Sequence, residues 1–303
     1  MVETVGIPRA LLFHYYATQW LEFFKFLGVK TIVSPPSNRE IVRRGIALSV
    51  DEACYSSKVY LGHVDWLSTR CDMVFMLRNE NSGIREDFCP RIFAMYDIVK
   101  HTFPRMNLLH ADVNYIFRKR EVDAFIKIAT DLGKTVEEGT RAYEHSVAMM
   151  TEEISRKNKE QEEKLQREGL KVMIVAHAYN THDAVIGGDI LDYFDKNNVT
   201  VIHAGCVDKA CAKQKTMEKY GKRVYWKVNS DLMGGIEILK ERVDGIVLLT
   251  TFPCGPDSIF NEMVIRSIKD VPVLSLMMDE LDATAGLQTR LESFIDILQA
   301  RSL

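Results

Sequence analysis

The chain has 303 residues, which is enough for two domains with separate hydrophobic cores. Hydrophobic residues make up 47% of it and charged residues 27%, as in ordinary water-soluble globular proteins. The net charge of −3 gives no basis for nucleic acid or an anionic membrane as a partner, and no apolar run approaches the roughly 20 residues that span a bilayer.

Strands alternate with helices over the first hundred residues. Because such alternation is typical of a parallel, doubly wound sheet, we predict an α/β lobe over residues 1–100. Its predicted elements are a short strand or turn at 5–9, an aromatic-rich helix over 11–27 that Gly28 ends, a strand at 31–34, helices over 38–48 and 56–66, and a strand at 72–77.

Residues 101–168 differ in character, and we predict a connector of two or three helices there. Residues 155–168 are dense in charges of both signs, which is typical of a solvated helix. A second α/β lobe is predicted over 169–303, so that two similar Rossmann-like lobes result. Its elements are strands at 171–176, 199–203, 245–250 and 271–276, and helices over 183–196, 232–241, 258–268 and 289–301.

The N-terminal residues and the cysteines indicate the cellular compartment in which the protein is expected. Met1 to Pro8 lack the basic-then-apolar pattern of a secretion signal, so we expect a cytoplasmic protein with reduced thiols. The six cysteines contain no C-x-x-C pair, which excludes a compact zinc motif; Cys206 and Cys211 are the closest two.

Three cysteines lie among Pro, Gly, Ser or acidic residues, outside the apolar runs, namely Cys54, Cys89 and Cys254. Loop thiols at the ends of α/β elements suggest a jointly held soft-metal centre, for which an iron–sulfur cluster is the first candidate. The alternative is three unrelated buried thiols.

Cys254 carries the strongest signal. Pro253 and Pro256 restrict the backbone around it, while Gly255 permits an unusual dihedral or a close approach. Asp257 or Ser258 can cap the following helix, at whose N-terminus a thiolate is favoured as a ligand or nucleophile. A plain turn cysteine is the simpler alternative.

The other cysteines are less distinctive. Cys89 precedes Pro90, which favours an extended backbone, and Cys54 lies in a polar loop just before a helix. Cys71 lies at the edge of an apolar strand and is predicted to pack in the core. Cys206 and Cys211 are either additional ligands or ordinary helix and loop residues.

Several polar residues surround these loops. Ser56, Ser57 and Ser258, with the amides near Gly255, are candidates to donate hydrogen bonds to cluster sulfur. His177 is a candidate for lining the site, although simple hydrogen bonding within its loop explains it as well. No Walker motif, no G-x-G-x-x-G after a strand and no G-x-S-x-G is present.

The motifs, taken in order, resemble the activase-related branch of the 2-hydroxyacyl-CoA dehydratase and benzoyl-CoA reductase superfamily. The resemblance covers nearly the whole chain, and the combined order is more specific than any one motif. The residues that carry it are Gly6 to Arg9, Trp20 to Phe24, Ser49 to Lys58 with Gly62-His63, Phe88-Cys-Pro90, Ala178 to Asn180, Cys254 to Ser258, Asp279-Glu280, Ala285-Gly286 and Thr289-Arg290.

This resemblance implies two Rossmann-like lobes and a [4Fe-4S] cluster, by motif on Cys54, Cys89 and Cys254. It also implies an actin/hexokinase-type ATPase activator with an iron–sulfur cluster of its own, which drives a low-potential electron into this protein. Dehydratases of the superfamily use the electron on an acyl-CoA thioester. Some relatives instead hold an eight-iron [8Fe-9S] double-cubane cluster and reduce small molecules.

Three functions therefore stay open at the level of sequence. The first is an iron–sulfur reductase or electron-transfer component of anaerobic metabolism, and the second a non-catalytic cluster-binding scaffold or regulator of the activator ATPase. The third is a zinc- or cluster-free α/β binding protein with buried thiols. A homodimer is left open, and neither nucleic acid nor a membrane is expected as a partner.

Overall fold

The computed structural model describes residues 4–83, 86–221, 224–280 and 284–301. The chain divides into two compact units, Met1–Ile154 and Ser155–Leu303. Each unit contains one four-stranded sheet whose strand pairs are all parallel, and helices connect the strands. The predicted α/β class with two Rossmann-like lobes is confirmed.

The first unit is built on the strand order β2-β1-β3-β4. Its first strand pairs on both sides, with Val5 opposite Thr31 on one neighbour and Met73 on the other. The elements are β1 (Thr4–Ile7), α1 (Phe13–Phe26), β2 (Lys30–Val33), α2 (Arg39–Ala47), α3 (Tyr55–Leu67), β3 (Met73–Asn81), α4 (Pro90–Phe93), α5 (Met95–Thr102), β4 (Leu108–Asn114), α6 (Glu121–Asp131) and α7 (Val136–Leu165), whose residues from Ser155 onward belong to the second unit.

Aromatic packing fixes the predicted aromatic-rich helix α1 against its sheet. Trp20 and Phe24 meet Phe75 of β3 edge-to-face, with ring centroids 5.0 and 5.2 Å apart. Phe23 meets Phe125 of α6 in the same way at 4.7 Å. These rings are the centre of the first core, because edge-to-face pairs add to the stabilisation from area burial. Gly28, at φ 69°, ends the helix as expected.

The second unit repeats this topology in the order β6-β5-β7-β8. All seven residues of β7 are buried, as expected for a central strand covered on both faces. The elements are β5 (Lys171–Val175), α8 (Ala178–Thr181), α9 (Gly188–Lys196), β6 (Thr200–His203), α10 (Lys209–Tyr220), α11 (Lys227–Leu239), a 3-10 helix (Lys240–Arg242), β7 (Gly245–Thr251), α12 (Gly255–Ser267), β8 (Val273–Met278) and α13 (Thr284–Arg301).

Each unit also packs a helix pair through glycine. A Cβ on Gly62 of α3 would lie 1.9 Å from the carbonyl oxygen of Ile41 on α2, and one on Gly45 would lie 1.9 Å from that of Lys58. In the second unit, a Cβ on Gly234 of α11 would lie 2.0 Å from the carbonyl oxygen of Ala212 on α10. Only glycine permits backbones to approach so closely.

Two sequence expectations need correction. Residues 101–168 are not entirely helical, because Leu108–Asn114 is the fourth strand of the first sheet. This strand alternates buried and half-buried residues at the sheet edge, so it lacks the continuous apolar run of its neighbours. The helix predicted over 183–196 begins only at Gly188, since the Asp183 carboxylate accepts from Val185 N and Ile186 N in a turn.

Candidate functional site

The three candidate cysteines occupy the same local position. Cys54, Cys89 and Cys254 are the N-cap residues of α3, α4 and α12, with ψ angles of 146°, 138° and 106°. None of the three thiols makes a capping hydrogen bond, and all three are partly buried. Because Ser, Thr, Asp and Asn are the residues preferred at an N-cap, capping does not explain cysteine at these positions.

The neighbouring serine fixes the backbone at two of these cysteines. Ser57 Oγ donates to the carbonyl oxygen of Cys54 at 2.8 Å, and Ser258 Oγ donates to that of Cys254 at 2.7 Å. Ser57 Oγ also lies 3.3 Å from Cys54 Sγ, within hydrogen-bond distance for sulfur. The thiol of Cys54 therefore already has a hydroxyl partner, whereas Ser258 holds the backbone beside its cysteine.

Ser56 and Gly255 are two further residues that were predicted to lie beside the candidate cysteines. Ser56 is buried in the first turn of α3, as is Lys58. Gly255 is the first residue of α12, and a Cβ there would meet nothing within 4 Å. Gly255 is also not among the glycines with positive φ, so neither an unusual dihedral nor a close approach explains it.

Cys89 lies in the connection between β3 and α4. Phe88 N donates to Glu80 O at 2.9 Å, which holds the chain against the end of β3, and Pro90 occupies the first turn of α4. A proline is tolerated there because a first-turn amide has no partner within the helix. Cys89 and Cys254 are thus equivalent in topology: each follows the third strand of its unit and begins the next helix.

His177 belongs to a buried polar cluster in the second unit. It is the N-cap of α8, and its Nε2 lies 3.1 Å from Asp257 Oδ1 on α12. Asn229 Nδ2 donates to the same Oδ1 at 2.9 Å, and Thr250 Oγ1 donates to Oδ2 at 3.1 Å. Tyr179 stacks on the His177 ring with centroids 4.6 Å apart.

Asp257 is the centre of this cluster and is only 4% exposed. Burial raises its pKa, but the His177 charge and the hydrogen bonds from His177, Asn229 and Thr250 outweigh burial and leave the pKa below its ordinary value. Asp257 lies one helical turn after Cys254, so the cluster anchors the N-terminus of α12 to the ends of β5 and β7. The sequence indicated Asp257 only as a helix cap, because its partners lie up to 80 residues away.

A second buried histidine organises the first unit. His63 of α3 is fully buried, with Nδ1 2.8 Å from Ser34 Oγ and Nε2 2.9 Å from Ser37 Oγ. Ser34 Oγ also accepts from Arg9 N at 2.8 Å, so the loops after β1 and β2 are tied to α3. Burial, with smaller contributions from the charges of His14 and Arg9, lowers the pKa of His63 to about 3.

We expect His63 to make the protein sensitive to acid. Between pH 6.5 and 3 the unfolded chain binds a proton at His63 and the folded chain does not. The contribution of neutral His63 to the free energy of unfolding is therefore fully present above pH 6.5 and is lost progressively as the pH falls below it. The free energy of unfolding should fall by up to about 1.4 kcal/mol per pH unit more in the wild type than in His63→Gln. Urea unfolding between pH 6.5 and 4.5 measures both slopes, and equal slopes would exclude this role.

The remaining cysteines have different surroundings. Cys71 Sγ donates to Leu67 O at 3.3 Å, and Cys206 Sγ lies 3.4 Å from Asn158 Oδ1. Burial raises the pKa of both thiols, which favours the protonated form over a thiolate ligand. Cys211 is exposed in the first turn of α10, where Asp208 is the N-cap.

These residues fit an iron–sulfur cluster in the type of ligand that they offer and in their position at the starts of helices. Thiolates are the ligands that such clusters take, and helix N-termini favour negative charge. Among the residues that the structure describes, no group of three or more His, Cys, Asp or Glu side chains is arranged to hold a metal ion. Cys54 and Cys89 lie in the first unit and Cys254 in the second.

Comparison with known proteins identifies a family. The model described as "CoA enzyme activase uncharacterised domain" matches residues 4–207, about two thirds of the chain. Cys54 and Cys89 lie within the matched residues, and Cys254 lies beyond them. A search among curated proteins finds no match.

Similarity to solved structures is weak. A crystal structure of ZnuA is 13% identical, with a TM-score of 0.25, and the alignment covers 99% of both chains. Glucosamine-6-phosphate deaminase from Thermotoga maritima is 9% identical, with a TM-score of 0.24, over 92% of this chain and 77% of that one. Neither score supports an argument about fold or function. Within the described part of the chain, no helix has both the length and the apolar character needed to span a membrane.

Proposed function

Because the chain belongs to the family of the CoA enzyme activase uncharacterised domain, we propose that it is an iron–sulfur protein of low-potential electron transfer. Its electron donor is an ATP-hydrolysing activator of the actin/hexokinase type that carries an iron–sulfur cluster of its own. The observation that carries the proposal is the shared position of Cys54, Cys89 and Cys254, each an N-cap whose thiol makes no capping bond.

The three cysteines are the proposed ligands of a [4Fe-4S] cluster. When bound, such a cluster supplies one-electron transfer at a low potential. Three protein thiolates leave one iron for a substrate or a further ligand, which supports a reductase over a plain electron carrier. An [8Fe-9S] double-cubane cluster is the alternative, and the iron content distinguishes the two.

The surrounding residues hold these thiols in place. Ser57 and Ser258 donate to the carbonyl oxygens of the two cysteines that they follow, which fixes the extended backbone from which each thiol projects. Ser57 also supplies a hydroxyl at 3.3 Å from the sulfur of Cys54. The Cys54 thiol donates this hydrogen bond, so once Cys54 is a thiolate the Ser57 hydroxyl must turn from Cys54 O to the sulfur in order to donate to it. Hydrogen bonds to ligating sulfur tune the potential of a bound cluster.

Iron and sulfide analysis of protein purified without oxygen tests the proposal. The wild type is expected to contain about four iron and four sulfide per chain for one cubane, or about eight iron for the double cubane. Cys54→Ser, Cys89→Ser and Cys254→Ser should each lose most of the iron. Cys211→Ser is the matched control, because Cys211 also lies in the first turn of a helix. Its side chain is exposed, and the N-cap of that helix is Asp208.

The same preparations separate electron transfer from a scaffold role. Reduced activator with ATP should produce an EPR signal in the wild type, and the signal should require ATP hydrolysis. Iron that is retained but never reduced would favour a cluster-binding scaffold or regulator. Equal iron in the wild type and all four variants, or none in any, would contradict the ligand assignment.

A further inference from the structure

A buried indole N–H without a partner and a tyrosine hydroxyl belong to side chains that line one cavity of the first unit. Trp20 Nε1 has no hydrogen-bond partner among the described residues, and its side chain is 6% exposed. Tyr60 is 9% exposed, and no hydrogen bond of its hydroxyl to a described residue is observed. Both side chains line the same cavity of about 30 Å³. Since more than nine in ten buried polar groups have a partner, the unpaired indole N–H of Trp20 needs a cause.

The cavity lies where ligands bind in sheets of this class. Pro8, which directly follows β1, lines it, and so do Met76 and Leu77 of β3. The strand order β2-β1-β3-β4 reverses between β1 and β3, so these two strands flank the topological switch point. In doubly wound sheets the crevice at this point is the usual ligand site. The location therefore points to a ligand independently of the two polar groups.

The chemistry of the lining restricts what can bind. No charged side chain lines the cavity, and most of its wall is apolar, including Leu11, Phe75 and Met95. An ion would lose its hydration there without gaining a partner, so the ligand is uncharged. An indole N–H can only donate, and a phenol O–H can donate or accept. The group that satisfies both is an oxygen that accepts two hydrogen bonds.

We propose that this cavity binds a small uncharged carbonyl compound whose oxygen accepts hydrogen bonds from Trp20 Nε1 and Tyr60 Oη. The ligand is an aldehyde, a ketone or a primary amide of a few non-hydrogen atoms. One water needs about 10–15 Å³, and the cavity volume is only about two to three times as large. Binding needs no iron, so the inference goes beyond the proposed function and stands or falls separately. Ordered water is the rival occupant.

Acetone is a suitable probe, and the indole N–H of Trp20 reports on the contact itself. The protein contains three tryptophans, so a sample labelled with ¹⁵N in tryptophan gives few indole signals, and Trp20→Phe assigns the relevant one. Iron-free wild-type protein is titrated with acetone. Isobutene, which has the same shape without the oxygen, and acetate, which carries a charge, serve as controls.

Acetone is expected to shift the Trp20 signal with saturation, and neither control should do so. Tyr60→Phe keeps the ring and removes the hydroxyl, so acetone affinity should fall about three- to tenfold. Tyr96→Phe is the matched control, because Tyr96 lines the same cavity but stacks on His110 with centroids 4.2 Å apart. Its affinity for acetone should equal that of the wild type.

Several results would overturn the inference. One is a Trp20 indole signal that does not shift with acetone, or that shifts linearly with acetone, isobutene and acetate alike. Another is an equal loss of acetone affinity in Tyr60→Phe and Tyr96→Phe. A third is a nuclear Overhauser effect from water at the Trp20 indole N–H that persists when acetone is added. Loss of iron in the cysteine variants with unchanged acetone binding would leave the inference intact. Absence of iron in the wild type would likewise count only against the proposed function.

Discussion

Asp257→Ala is expected to lower the free energy of unfolding of the second unit by about 3–5 kcal/mol, the largest single effect that we predict. The substitution leaves the donors of Asn229 and Thr250, together with the ring of His177, buried without their acceptor. Each unsatisfied buried group costs about 1–3 kcal/mol. Asp257→Asn should cost less, because the amide keeps the shape and one acceptor oxygen.

Hydrogen exchange at the amides of β5 and β7 measures this loss within the second unit. Asp189→Ala is the matched control, since Asp189 is an exposed acid in the first turn of α9 and should cost no more than about 1 kcal/mol. An Asp257→Ala variant that is as stable as Asp189→Ala would show that the buried cluster does not anchor α12.

Gly62→Ala is expected to destabilise the first unit by about 3 kcal/mol. The added Cβ would lie 1.9 Å from Ile41 O, 2.8 Å from Ile41 C and 3.1 Å from Gly45 N, so α2 and α3 must move apart. The neighbouring atoms belong to backbone and cannot rotate away. His63 follows directly on α3, so its contacts with Ser34 and Ser37 should loosen as well.

Guanidinium unfolding followed by circular dichroism compares this variant with Gly286→Ala. Gly286 lies in α13 with nothing within 4 Å of its added Cβ, so that substitution should be neutral or stabilising by up to about 1 kcal/mol. Unfolding midpoints that are the same in both variants would contradict the close packing of α2 against α3.

The alternation of strands and helices was sufficient to predict the fold class. Strands β5 and β7 and the first five residues of β3 contain continuous apolar runs, and such runs are visible without any knowledge of their partners. Strand β4 was missed because it alternates at a sheet edge and contains His110 and Asp112. The helix α10 was also missed, since its sequence is polar and its packing depends on Gly234 of α11.

Features of the candidate site that depend on residues adjacent in sequence could be predicted. Helices after Cys54 and Cys254 were predicted from the proline, serine and acidic residues nearby. The second helix begins at Gly255, three residues before its predicted start, and its N-cap is Cys254 in place of Asp257 or Ser258. The pairing of His177 with Asp257 and the position of His63 between two serines could not be predicted, because these contacts join distant segments. The same holds for the cavity that Trp20 and Tyr60 line, which forms only when α1 and α3 pack on one sheet.

The central claim is that Cys54, Cys89 and Cys254 are the iron ligands. Its most direct test is anomalous scattering at the iron edge from crystals of protein purified and grown without oxygen. We predict iron peaks at about 2.3 Å from the sulfur atoms of all three residues, the length of a metal–thiolate bond. Iron bound by Cys71, Cys206 or Cys211 instead, or crystals of active protein without any iron peak, would contradict the account.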